Sequence, residues 1–194
     1  MVKVLIGFGL AVVILAVAGF LFFALGLAPT ATADSPFPFE EKVANMALKA
    51  RIQKADVQPS PVDPSEQTFL AGAKIYREHC GVCHGFPRRD SEMANGMYPK
   101  PSQLFRGIHH YMNPPDSYWR TKNGIRMTGM PSFDKILSDT QMWQVSVFLF
   151  HRRLISKEVR NELLADEPAS VSKSSAAPVA SPSGHVVAHG APGR

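Results

Sequence analysis

Cys80-Gly81-Val82-Cys83-His84 holds both cysteines of the 194-residue chain, and how it is read decides what the chain folds around. Two thiols three residues apart on one helical turn face the same way. A structural zinc would need further ligands at suitable spacing, and no second cysteine pair exists. A thioredoxin-like dithiol is expected in a βαβ setting, whereas the residues around this motif show helical periodicity. The third reading is covalent haem attachment, for which C-x-x-C-H is the recognised pattern. Two such thiols add across the vinyl groups of one haem, and the adjacent imidazole of His84 lies under the iron. That attachment is made in exported chains, so the flanking sequence has to agree.

Upstream, Asp63-Pro64-Ser65-Glu66 combines an N-cap residue, a proline at the first helical position and an acid three residues on. It predicts a helix carrying Phe69, Ala73 and Tyr76 on one face, with Gly72 leaving room for a second helix to approach. Downstream, Ser138-Asp139-Thr140-Gln141 is a second capping box. It opens an apolar helix through Met142, Trp143, Val145, Val147, Phe148, Leu149 and Phe150, closed by Arg152-Arg153. A shorter helix is expected to start near Asp116, to carry Tyr118 and Trp119, and to stop at Gly124.

An iron held by His84 has a sixth position to fill. The candidates are the methionines at 93, 97, 112, 127, 130 and 142 and the histidines at 79, 109, 110 and 151. Met142 and His151 belong to the last helix, and His79 precedes Cys80 on the same helix. Met130 stands in Gly129-Met130-Pro131, immediately before the last helix. The glycine frees the backbone for close approach, and the proline stiffens the exit. Met130 is the expected ligand on a Met/His pairing, with Met127 next and His109 or His110 behind.

The two ends of the chain differ from its middle. From Val4 to Ala28, 21 of 25 positions are apolar and the other four are glycine. A helix of that length is ~37 Å long, enough to cross a hydrocarbon core of ~30 Å. Ala31-Thr32-Ala33 before Asp34 has the look of a processing site, but signal cores run about 7–15 residues, so an uncleaved anchor is expected. Lys3 precedes the run and the next basic residue is Lys42, which keeps the amino terminus inside. Phe37 to Asp56 reads as an amphipathic helix with Phe39, Val43, Met46, Ala47 and Ala50 on one face, which leaves a place on the membrane surface, a place against the domain and a plain spacer equally open. A Pro-rich linker follows from Val57 to Pro64. In the last 29 residues, 19 are Ala, Pro, Ser or Gly, including a His185/His189 pair, and this tail is expected not to fold. The expected domains are therefore 1–33 (anchor), 34–64 (amphipathic helix and linker), 65–160 (haem domain) and 161–194 (tail).

Residues 66–165 contain 14 Lys/Arg and nine Asp/Glu, so they carry the whole net charge of +5. No uninterrupted basic run or basic–aromatic stripe appears, which argues against nucleic acid. A mildly basic face suits docking on an acidic redox partner.

The order of these elements resembles the class I cytochrome c family over about residues 66–156: helix, CxxCH, Pro-rich loop, short helix, Gly-Met-Pro, aromatic helix. Within it the chain is most similar to membrane-anchored monohaem cytochromes, through Asn123–Pro131 and Leu137–Trp143. The resemblance implies an all-α haem domain behind one N-terminal transmembrane helix. It also implies a single covalent haem c, with thioethers at Cys80 and Cys83, His84 proximal and Met130 distal. The first and last helices should cross near Gly72, Tyr76, Trp143 and Val147. A proline carbonyl, sought in Pro99-Lys100-Pro101, should accept the His84 N–H. Tyr98, Trp119 and Arg126 are the expected pocket or propionate contacts. The charged stretch Arg88-Arg89-Asp90-Ser91-Glu92 departs from the pattern. The implied function is electron transfer with no small-molecule substrate and no enzymatic turnover of its own. The domain would stand on the periplasmic side of a bacterial cytoplasmic membrane, with redox proteins of a respiratory or photosynthetic chain as partners. The alternative is a haem-bearing subunit of a larger membrane redox enzyme or reaction-centre complex.

Overall fold

The computed structural model of the chain describes residues 1–107 and 113–165. Among them every element is helical, apart from one isolated bridge between Phe86 and Arg89. The all-α expectation therefore holds. His109, His110 and Met112, together with the tail from residue 166 that includes His185 and His189, lie outside the described residues.

Helix α1 (Val2–Ala24) has no buried residue, and most of its apolar side chains are exposed. It is long and apolar enough to cross a membrane. It stops four residues before the end of the apolar run, at a Schellman motif. Gly26, at φ +70°, donates its N–H to Phe23, and Leu27 donates to Phe22, each at 3.1 Å. Helix α2 (Glu40–Ala55) is shorter than expected at its start, where the Phe37 N–H donates to the Glu40 carboxylate at 2.9 Å. The apolar face read from sequence is exposed, and the buried residue is Ile52 on another face.

Helix α3 (Glu66–His79) starts two residues later than Asp63-Pro64 suggested. Ser65 is the N-cap, its hydroxyl accepting the Thr68 N–H at 3.2 Å. Glu66 is not spent on that cap, because its carboxylate accepts from the hydroxyl of Ser156. Helix α6 (Asp139–His151) begins with the expected capping box on Ser138 and Gln141. These two helices cross at Gly72, where a Cβ would come within 2.5 Å of both the Gln144 carbonyl oxygen and the Phe148 Cβ. Ala73, Tyr76, Val145 and Phe148 are fully buried around the crossing. Trp143 does not take part in it. Its ring stacks on Tyr118, 4.1 Å between centroids and 8° from parallel, and so joins α6 to helix α5 (Pro114–Asn123). Helix α5 is capped by the Asn113 side chain and ends at Gly124, two residues longer at its start than the sequence suggested.

One further element, α7 (Lys157–Leu163), was not foreseen. Val159 and Leu163 on it are fully buried in the same core as Tyr76 and Phe148. Arg77 of α3 reaches it, donating to the Glu162 carbonyl at 2.8 Å and pairing with its carboxylate at 3.2 Å. The packed core therefore continues past residue 160, the boundary expected from sequence.

Two predictions follow from this packing. Gly72→Ala drives a carbon into a backbone carbonyl, which has no rotamer to escape into. A loss of about 1–3 kcal/mol in chemical denaturation is expected, as for other overpacked cores. At the other junction, Asp139 accepts from Tyr118 at 2.7 Å and from Lys122 at 2.9 Å. The Lys122 hydrogen bond, then that of Tyr118, holds the Asp139 carboxyl below its ordinary value. A depressed carboxylate stabilises the fold above its unfolded pKa, and the effect disappears as pH falls through the folded one. Asp139→Asn is thus expected to lower Tm slightly at neutral pH, with the difference vanishing in acid.

Candidate functional site

Helix α3 delivers the cysteine motif directly. Cys80 ends α3 and begins the single turn α4 (Gly81–His84), its carbonyl accepting from the N–H groups of Cys83 at 3.1 Å and His84 at 2.9 Å. Both thiols are free. Burial, and secondarily the neighbouring Cys83, pushes the Cys80 thiol up to about 12, so it is protonated at neutral pH. Gly81 allows the ring of Phe86 to cover the turn, occupying the place of a Cβ. Gly85, at φ +70°, ends it.

A helix this short leaves all its carbonyls without intrahelical partners, and here each one has a donor. The Gly81 carbonyl accepts from the Gly85 N–H at 2.9 Å. Val82 accepts from the Ser91 hydroxyl, and Cys83 from the Gln103 amide at 3.1 Å. His84 accepts from the Leu104 N–H at 3.1 Å. Gln103 also donates to the Pro101 carbonyl at 3.0 Å and accepts from the Ser91 N–H at 2.7 Å. The core ties in through Tyr76, whose hydroxyl donates to the Gly85 carbonyl at 2.7 Å. Burial pushes that phenol well above its ordinary value, so it remains a donor. Gln103 and Ser91 were not singled out in the sequence, because an isolated polar residue in a loop gives no periodic signal.

The His84 ring is oriented by the same segment. Its Nδ1 lies 2.8 Å from the carbonyl oxygen of Ser102. A carbonyl only accepts, so Nδ1 carries the proton and Nε2 keeps its lone pair. Burial lowers the pKa of His84, against a smaller upward effect of that hydrogen bond, which favours the neutral ring a metal requires. The acceptor is Ser102, not Pro99 or Pro101. The Pro101 carbonyl is instead used by Gln103.

The charged stretch after the motif is a closed turn. Phe86 and Arg89 exchange backbone hydrogen bonds of 2.7 and 3.1 Å, and the Arg89 guanidinium lies 5.2 Å from the Phe86 ring centroid. Asp90 pairs with Arg106 at 2.7 Å, well exposed.

Met130 stands in a loop built on the end of α5. Gly124, at φ +66°, lets the returning chain cross it, since a Cβ there would meet the Ser132 nitrogen at 2.6 Å and the Met130 oxygen at 2.9 Å. Ile125 donates to the Met130 carbonyl at 3.1 Å, and the Thr128 hydroxyl accepts from the Met130 N–H at 3.1 Å. Phe133 donates to Thr121 at 3.0 Å, closing the loop. Met130 is half-buried within it, whereas Met127, at φ +60°, is 89% exposed. The Met97 methyl occupies the place of a Cβ on Gly129, and Met93 lies 3.9 Å sulfur to sulfur from Cys83. The loop meets the end of α3 through Phe133, whose ring is 6.1 Å from that of His79. Met142 is buried in the core, and His151 bonds the Val147 carbonyl at 2.9 Å. Tyr98 lines a cleft with Phe37, Glu40 and Asn45 at the start of α2. Trp119 is half-buried on α5, and Arg126 is exposed.

Among the described residues no group of three or more His, Cys, Asp or Glu is placed to hold a metal ion. The donor set of α4 is therefore two thiols on one turn beside a neutral imidazole with Nε2 available. It fits covalent attachment of a vinyl-bearing macrocycle with one axial nitrogen, and thus fits haem.

A match to a known family agrees with that fit. Residues 67–149 match the family described as cytochrome c oxidase, cbb3-type, subunit III. The quinohemoprotein alcohol dehydrogenase ADH IIB of Pseudomonas putida is 24% identical over 99 residues, which are 51% of this chain and 13% of that protein. A chain of the reducing HAO-like protein complex of Kuenenia stuttgartiensis is 35% identical with a TM-score of 0.40, over 50% of this chain and 47% of that one. The chain thus spans less than half the length of either relative.

Each buried polar group that loses its partner costs about 1–3 kcal/mol. Gln103→Leu strips donors or acceptors from Cys83, Pro101 and Ser91, and is expected to cost about 2 kcal/mol or more in denaturant unfolding on that scale. Arg106→Ala, which breaks only the exposed pair with Asp90, is expected to stay within about 1 kcal/mol of the parent.

Proposed function

Residues 67–149 are a cytochrome c domain whose cofactor is haem c, and from that premise we propose a tethered electron carrier. One haem would be held by thioethers at Cys80 and Cys83 and by His84 and Met130 on its iron, and α1 would anchor the domain to the outer face of the cytoplasmic membrane. The observation that carries this reading is the 2.8 Å contact between His84 Nδ1 and the Ser102 carbonyl, which directs the free Nε2. When bound, haem supplies a one-electron Fe(III)/Fe(II) couple.

The chain's own residues determine how that couple behaves. The Ser102 carbonyl makes the His84 ring a stronger donor and holds its orientation. The Met130 backbone is held on both sides, its carbonyl by the Ile125 N–H and its N–H by the Thr128 hydroxyl, which limits how far the loop can move. A Met/His pair raises the potential. The satisfied carbonyls of α4 leave the turn no alternative arrangement to relax into. With both His84 and Met130 holding the iron, no position would be left for an exogenous ligand, which favours electron transfer over catalysis or gas sensing. Redox proteins are the partners in this reading, and no small molecule is turned over.

A second reading, a haem-bearing subunit of a larger redox enzyme, is supported by the match to an oxidase subunit family and by the dehydrogenase relative. Detergent extraction separates the two. A stoichiometric complex favours the subunit, and a lone, exchangeable chain favours the carrier.

Visible spectra of the oxidised and reduced protein test the assignment. A thioether-shifted α band is expected on reduction, together with the weak charge-transfer band of Met–iron coordination in the oxidised form. Met130→Ala is expected to abolish that weak band and lower the potential. If the band survives in Met130→Ala, the sixth ligand is another residue. If haem is extracted by acid acetone, the attachment proposed at Cys80 and Cys83 is wrong.

A further inference from the structure

Helix α2 has two apolar faces, and one of them is uncovered. With about 3.6 residues per turn, Leu48, Ile52 and Ala55 share one side, where Ile52 is 6% exposed. Phe39, Val43, Met46 and Ala50 line roughly the opposite side. There Phe39 is 74% exposed, Val43 56% and Met46 66%. Lys42 and Lys49 border this stripe on one edge and Lys54 on the other. Within the helix four Lys/Arg outnumber two Glu.

The start of α2 identifies what covers the stripe. The ring of Phe37 lies 6.1 Å from that of Phe22, in the last turn of α1. The connection between them is tightly turned, with the Asp34 carboxylate accepting from the Thr30 and Ala31 N–H groups at 2.8 Å. At 1.5 Å per residue α1 is ~34 Å long, little more than a ~30 Å hydrocarbon core. Phe22 therefore sits at the outer edge of that core when α1 spans it. Phe39 opens the exposed stripe two residues after Phe37, at nearly the same depth. An apolar stripe edged by lysines, starting at that level, matches a lipid interface. The rings and aliphatic chains enter the acyl boundary, and the lysine stems snorkel to anionic headgroups.

We propose that α2 lies along the outer bilayer surface, with Phe39, Val43, Met46 and Ala50 in the headgroup–acyl boundary and the Ile52 face turned to the protein. The domain is then held at a fixed height above the membrane by two elements, a span and a surface helix, instead of swinging on the span alone.

The inference rests on α1 crossing the bilayer, and photo-crosslinking reads the two separately. The full-length, haem-loaded protein is placed in vesicles of phosphatidylethanolamine and phosphatidylglycerol. A benzophenone amino acid replaces Ile14 in α1, Met46 in the stripe, or Ala44, which is exposed on the other side of α2. Lipid adducts are expected at 14 and 46, severalfold more at 46 than at 44. Adducts at 14 with none at 46, or equal yields at 44 and 46, overturn the surface helix while leaving the span. Protein–protein adducts at 46 assign the stripe to a second copy and overturn it too. Lipid adducts at neither 14 nor 46 overturn the span together with the inference built on it.

Discussion

At residue 72 there is room for a hydrogen atom and nothing larger, and the haem domain is arranged around that constraint. The backbone of α3 rests on the Gln144 carbonyl and the Phe148 Cβ of α6, closer than any side chain permits. One turn further along α3, Tyr76 is enclosed by Phe86, Phe105 and Phe148. Its hydroxyl reaches the Gly85 carbonyl. The helix crossing and the cysteine motif are therefore one mechanical unit, since the same helix makes the core contact and ends at Cys80.

The motif itself is held by hydrogen bonds more than by packing. A four-residue helix has no interior, so its stability depends on outside donors for its carbonyls. Ser91, Gln103 and Leu104 supply them from two separate loop segments. Those segments also orient His84 through the Ser102 carbonyl. Support of the turn and orientation of the His84 ring thus share one loop segment, so a change made for one alters the other. The opposite side is built differently. The Met130 loop depends on Gly124, whose missing side chain lets the chain return across the end of α5.

Helix α2 shows how a weak periodic signal can conceal two faces. Apolar residues on opposite sides cancel in any measure of one-sided amphipathicity. A second apolar side carries the buried Ile52, and the stripe read from sequence is the exposed face. Its neighbour in space is the end of a helix with no buried residue of its own. Two uncovered apolar surfaces meet at that point, the exposed stripe of α2 and the end of α1.

By itself the sequence determined whatever local chemistry specifies: the all-α class, the apolar span, the Ser138–Gln141 cap, and the placing of two thiols and an imidazole on one turn. Those features depend on residues within about a turn of one another, where side-chain type and spacing settle the outcome. Tertiary structure decided the rest. Ser65, not Asp63, is the cap, and Glu66 meets Ser156, far along the chain. Ser102, not Pro99 or Pro101, accepts from the His84 ring, while the Pro101 carbonyl accepts from Gln103. Trp143 turned to Tyr118, and α7 joined the core through two side chains in a segment too short to show a period. In each case a polar group or an aromatic face had several possible partners. Which one it met depended on contacts remote in sequence, and spacing along the chain carries no record of them.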